Sequence, residues 1–86
     1  MRYRDIKVGA VLRNIVPMRV YFGEFTPGEE IEEGNGWVVS ECRRPRKYKP
    51  YYCMNVALLY QDGRKIWLYN FQVLNNMELF DEVDCL

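Results

Sequence analysis

Apolar and polar positions alternate along the chain in short runs, and none sustains the 3.6-residue periodicity of an amphipathic helix. The densest pattern lies between Tyr51 and Leu74. There an apolar run meets Asp62-Gly63 and a second apolar run follows at once, which predicts an antiparallel hairpin over residues 56–60 and 64–69, because both turn residues tolerate the positive φ of a type I′ turn. A two-residue loop sets Tyr60 opposite Lys65, Leu59 opposite Ile66, Leu58 opposite Trp67 and Ala57 opposite Leu68. One face then carries Ala57, Leu59, Ile66 and Leu68, and the other Tyr52, Met54, Val56, Leu58, Tyr60, Trp67 and Tyr69. Neither face shows the polar alternation of a sheet with one side in water, so both want cover.

The remaining runs are also strand-like. Ile6 to Val16 alternates loosely, is rich in β-branched residues, holds Gly9 where a bend or bulge is needed, and stops at Pro17. Met18 to Phe25 is closed by the turn Thr26-Pro27-Gly28. Glu29, Glu30, Glu32 and Glu33 cluster around Ile31 and predict a solvated loop. Trp37 to Cys42 is a clear strand, and Arg43 to Lys49 a loop whose prolines, Pro45 and the following Pro50, prevent regular pairing. After the hairpin, Tyr69 to Leu74 predicts a single 3₁₀ turn, and Asn75-Asn76 a turn into a last strand with Met77, Leu79 and Phe80. Five short strands punctuated by Gly and Pro predict an all-β fold, a small five-stranded barrel or half-open sandwich in one domain spanning 1–86.

Composition narrows the function. Twelve basic and twelve acidic side chains cancel, so no global field recruits a polyanion and any such binding is local. No apolar stretch is long enough to span a membrane, and the opening MRYRDIKVG lacks the apolar core of a signal peptide, which together predict a cytoplasmic address. Three cysteines suit free thiols; a Cys42–Cys53 bridge across the intervening loop is the less favoured alternative, and a zinc site lacks both histidine and a CxxC pair. The chain has no histidine, one serine and one threonine, which excludes Ser-His and Cys-His catalysis, and Gly34-Asn35-Gly36 is not followed by the lysine and helix of a phosphate loop. The expectation is a protein that is not an enzyme, with no cofactor, no metal and no small-molecule substrate.

The succession IKVGAVLRN, GWVVSE, VALLYQDGRKIWLYNFQVL and MELF covers most of the chain and resembles the SH3-like small β-barrel superfamily: an opening strand with Val-Gly, a long excursion, a Gly-aromatic-Val strand, a hairpin, and a turn into a closing strand. The resemblance implies architecture more than activity. In its peptide-binding members an acidic excursion and an aromatic groove receive proline-rich ligands. Here acids stand at Glu24 and at Glu29, Glu30, Glu32 and Glu33, and aromatics at Tyr21, Phe22, Trp37 and Tyr69. An ALYDY-like opening, a paired tryptophan on the middle strand and a proline at Tyr69-Asn70 are all missing. By analogy it implies a short phage-type or regulatory protein.

Two kinds of partner fit these residues. A larger protein, or a second copy, is expected to dock on the hairpin face carrying Met54, Leu58, Tyr60, Trp67 and Tyr69, because aromatic and Met side chains are enriched where interfaces form. The alternative is a nucleic acid on Arg43, Arg44, Arg46, Lys47 and Lys49, with Tyr48 and Tyr51 stacking on bases. Protein docking is the primary expectation. Acids on either side of the basic loop repel a polyanion that approaches broadly.

Overall fold

The computed structural model describes residues 1–43 and 54–80. A 3₁₀ turn at Tyr3–Asp5 precedes β1 (Val11–Asn14), followed by β2 (Met18–Val20), β3 (Glu29–Ile31), β4 (Gly36–Arg43), β5 (Asn55–Tyr60), β6 (Lys65–Tyr69), helix α1 (Asn70–Asn76) and β7 (Met77–Leu79). The main sheet is five-stranded and antiparallel in the order β6-β5-β4-β1-β7, and β2 and β3 form a separate pair. The fold is mostly β, as the alternation predicts, with two corrections. Seven strands form two sheets with no closed barrel among the described residues, and the turn before the last strand is a seven-residue α-helix.

The helix forms because its polar ends find partners. The Gln72 side chain accepts the Tyr69 amide at 2.8 Å, as a capping residue does, while the Asn70 amide donates to Met54 O. Val73 is buried one helical turn from buried Met77, so a spacing too short to register as periodicity still provides one inward edge.

The opening strand is shorter than its alternation suggests. Gly9 has φ +93°, in the left-handed region, and turns the chain so that its amide meets Val39 O, after which β1 pairs with β4. The acidic segment is not all loop. Glu29 to Ile31 pairs with β2, Met18 opposite Ile31 and Val20 opposite Glu29, because burying Ile31 beside Met18 and Val20 outweighs leaving its acidic neighbours unstructured.

The hairpin stands where it is expected, but its register is displaced by one. Val56 faces Leu68, Ala57 faces Trp67, Leu58 faces Ile66 and Leu59 faces Lys65. The cause is the turn. Gly63 alone has positive φ, its amide donates to Tyr60 O, and the Tyr60 amide donates to Arg64 O, so Gln61, Asp62 and Gly63 form a three-residue loop with a glycine bulge. Asp62 keeps a negative φ and instead accepts the Arg64 amide. A slip of one residue moves every β6 side chain to the opposite face. Ile66 and Leu68 therefore join Val56 and Leu58 on the inner face, while Trp67 and Tyr69 share the outer face with Leu59 and with Ala57, which is itself fully buried there.

The core lies between the inner face of the main sheet, the β2–β3 pair and α1; Leu12, Trp37, Val39, Val56, Leu58, Val73 and Met77 are its fully buried members. Asn14, also buried, closes one end: its amide group donates to Val16 O and Glu32 O, and its carbonyl accepts Trp37 Nε1.

Candidate outer-face docking site

The outer face of the main sheet is built by the outward positions of five strands. Strand registers place Leu59 beside Val38 and Val38 beside Val11, and the Phe80 amide donates to Val11 O, so Leu59, Val38, Val11 and Phe80 form one apolar row across the sheet. Trp67 and Tyr69 extend the face on β6. Val11, Val38, Trp67 and Tyr69 remain about two-fifths exposed, at 41%, 40%, 41% and 44%. Outward positions of a half-solvated sheet are ordinarily polar, so this row is unusual. At its middle lies a shallow hollow of about 470 Å³ bounded by Val11, Val38, Leu59 and Phe80, with Gly36 and Gly63 at its margin.

Charges border the row and are paired with one another. Arg13 binds Glu78; Lys65 and Arg43 both approach Glu41, at 3.7 and 3.5 Å. The Arg43 guanidinium lies 4.6 Å from the Trp67 ring centre, and Tyr69 and Phe71 stack at 5.7 Å. These groups are substantially exposed, so each pair contributes little to stability, and with two cations sharing Glu41 the border keeps one positive charge in excess.

Of the five hairpin residues expected to form a docking face, the structure brings only Trp67 and Tyr69 to one surface. Met54 and Leu58 are buried in the core, and Tyr60 is half-buried against Trp37 and Phe22, because the displaced register separates the β5 and β6 members of that set. Val11, Val38, Leu59 and Phe80 were not among the expected residues. Their signal is present in the chain, as apolar residues at outward positions of AVLRN and GWVVSE, but it is legible only once the inward phase of each strand is known. Of the basic set, Arg43 is placed at the end of β4, and Arg44, Arg46, Lys47, Tyr48, Lys49 and Tyr51 lie outside the described residues, as does the Cys53 partner of the alternative disulfide. The aromatics named by the SH3-like resemblance do not share a groove: Phe22 and Trp37 pack together near the β5–β6 turn, whereas Tyr69 is at the other end of β6.

That turn is tied to the small sheet through Arg64, which pairs with Asp62 at 2.6 Å and Glu29 at 2.7 Å and lies 4.0 Å from the Phe22 ring centre. The Arg64 backbone amide, and then its guanidinium, hold the Asp62 carboxyl below its ordinary value. Cys42 donates its thiol to Ile6 O, and burial pushes that thiol up, the opposite of an activated nucleophile. Among the described residues there is no cluster of three or more potential metal ligands and no helix long and apolar enough to cross a membrane. Comparison of the chain with protein families, curated proteins and solved structures finds no match.

Proposed function

We propose that this chain is a non-enzymatic binding module that docks on another protein through the outer face of its main sheet and regulates or inhibits it. The observation that carries the reading is the apolar row Leu59, Val38, Val11 and Phe80, which runs across β5, β4 and β1 to the residue after β7 and is bordered by charges paired with one another. A contiguous apolar patch with a polar rim is the usual form of a protein interface, and Trp67 and Tyr69 supply the amphipathic side chains that anchor such contacts. The same reading assigns the chain to the SH3-like small barrels. Its support is the antiparallel run β4-β5-β6, the β2–β3 excursion between β1 and β4, and the return of β7 beside β1 after a short helix.

The test is a photo-crosslinking residue placed at Val38, with the exposed position Lys7 as control, in the cell of origin. A nuclease-resistant protein adduct at Val38 that is missing at Lys7 is expected. No adduct, or one that nuclease removes, rejects protein docking. One observation favours a nucleic acid as the second reading: Arg43, the first cation of the basic run, is held on the half-exposed Trp67 ring, the combination that tracks phosphates and stacks bases. On that reading Trp67 fluorescence is quenched by single-stranded oligonucleotide, with an affinity that falls steeply as salt rises. Salt-independent quenching, or none, removes it.

A further inference from the structure

The charged groups beside the outer-face hollow are not matched one to one. On the β1–β7 side Arg13 and Glu78 pair with each other. On the β4–β6 side a single carboxylate, Glu41, stands between two cations, Lys65 at 3.7 Å and Arg43 at 3.5 Å. Both separations exceed the roughly 2.7–2.9 Å of a charge-assisted hydrogen bond, and all three side chains are two-fifths or more exposed, so both cations keep N–H donors open to a further acceptor. The carboxylates of the β5–β6 turn do not supply the missing charge. Asp62 and Glu29 are both held by Arg64, whose guanidinium lies against Phe22 on the side of the small sheet. The adjoining sequence has the same sign as the excess: between Arg43 and Pro50 stand Arg44, Arg46, Lys47 and Lys49, with no acid among them.

The register sets this cluster against the apolar row. Lys65 pairs with Leu59 and Leu59 with Val38, so Lys65 stands two strand spacings, about 10 Å, from the Val38 side of the hollow. Glu41 lies opposite Ala57 and Ala57 opposite Trp67, whose ring faces the Arg43 guanidinium. One surface thus combines an open apolar hollow of about 470 Å³ with an excess positive charge at one side. A nucleic acid uses the cations and leaves the apolar row bare, whereas a peptide bearing an apolar side chain and a nearby carboxylate uses both.

We infer that the outer face receives an acidic peptide segment of its partner protein, with an apolar side chain in the hollow beside Val38 and a carboxylate against Lys65 and Arg43. This rests on the outer face being a docking surface and adds the chemistry of what docks there. Glu41 then competes with the ligand for the two cations. The experiment is selection of a phage-displayed random-peptide library on the immobilised full chain, followed by titration of the recovered peptides, synthesised free of phage, against variants. Recovered peptides are expected to carry net negative charge together with an aromatic or aliphatic residue. Their affinity should fall at least tenfold with Val38→Lys and with Lys65→Glu, be kept by Lys65→Arg, and rise with Glu41→Gln, a gain that a merely structural role for Glu41 does not produce. Val11→Lys replaces Val38→Lys if circular dichroism shows the latter unfolded. Neutral or basic recovered peptides, no recovered peptide, or an affinity indifferent to Lys65→Glu overturns the inference. So does an oligothymidylate that binds the full chain more tightly than every recovered peptide, which assigns the cations to nucleic acid. The docking face is judged separately by the Val38 crosslink: an adduct to a segment without acidic excess keeps the face and rejects the acidic ligand, whereas no adduct rejects the face itself.

Discussion

At the scale of the residue, Asn14 shows how a single polar side chain organises a core this small. Its side chain joins the β1–β2 turn, the segment after β3 and the Trp37 indole, and its backbone amide and carbonyl meet Asn35 O and the Gly34 amide. Asn14→Ala leaves the buried Trp37 indole N–H without its partner and removes one donor from each of the part-buried Val16 and Glu32 carbonyls, the latter keeping the Asn35 side chain, and is expected to cost about 2 kcal/mol in urea unfolding with little change in m-value. Asp62 acts at the surface. Its carboxyl is held below the ordinary value of 3.8, first by the Arg64 amide and then by the Arg64 side chain. A carboxyl depressed in the fold stabilises it above that ordinary value, and the contribution is lost as pH falls through the folded value. The melting temperature of Asp62→Asn should therefore lie below that of the wild type at neutral pH and converge with it in acid; a constant gap across that range would show that the charge plays no part.

At the scale of the element, the β5–β6 turn has more influence than its three residues suggest. Gly63 has φ +87° with open space around it, so Gly63→Ala pays only the left-handed backbone, about 1 to 2 kcal/mol. Gln61→Pro should be tolerated, because that position of a type I turn already has the φ that proline imposes, whereas Asp62→Pro should not be. Thermal melts of the three variants check the turn type, since a two-residue I′ loop would make Gln61 a strand residue and reverse the first expectation. Helix α1 depends on Gln72 accepting the Tyr69 amide. Gln72→Ala should cost about 1 kcal/mol and accelerate hydrogen exchange at that amide. The position of both elements is legible in the sequence, because Asp-Gly and Asn-Asn punctuate apolar runs. Their detailed form is not. One sign of φ at Asp62 separates a two-residue from a three-residue loop, and seven residues are too few for helical periodicity to stand out.

At the scale of the whole molecule, the two tryptophans report which surface is inside. Trp37 is 1% exposed and Trp67 41%, so acrylamide should quench two fluorescence populations, and Trp67→Ala should remove the accessible one while leaving the fold intact. Quenching of a single, uniformly protected population in dilute protein would contradict this division of the sheet. The sequence by itself determined that the chain is mostly β, where the central hairpin turns, that Trp37 to Cys42 is a strand, and that apolar side chains are too many for one interior. Those properties follow from local chemistry: turn residues, β-branched runs and composition act over a few neighbouring positions. Only the tertiary structure decided which apolar residues became the interior. The glycine bulge at Gly63 set the phase of β6 against β5 and put Trp67 and Tyr69 outside, the burial of Ile31 turned an acidic stretch into β3, and strand order aligned Leu59, Val38, Val11 and Phe80 from distant parts of the chain. Each outcome depends on contacts between residues far apart in sequence. A one-residue difference in register, nearly invisible in local preference, exchanges the core and the surface.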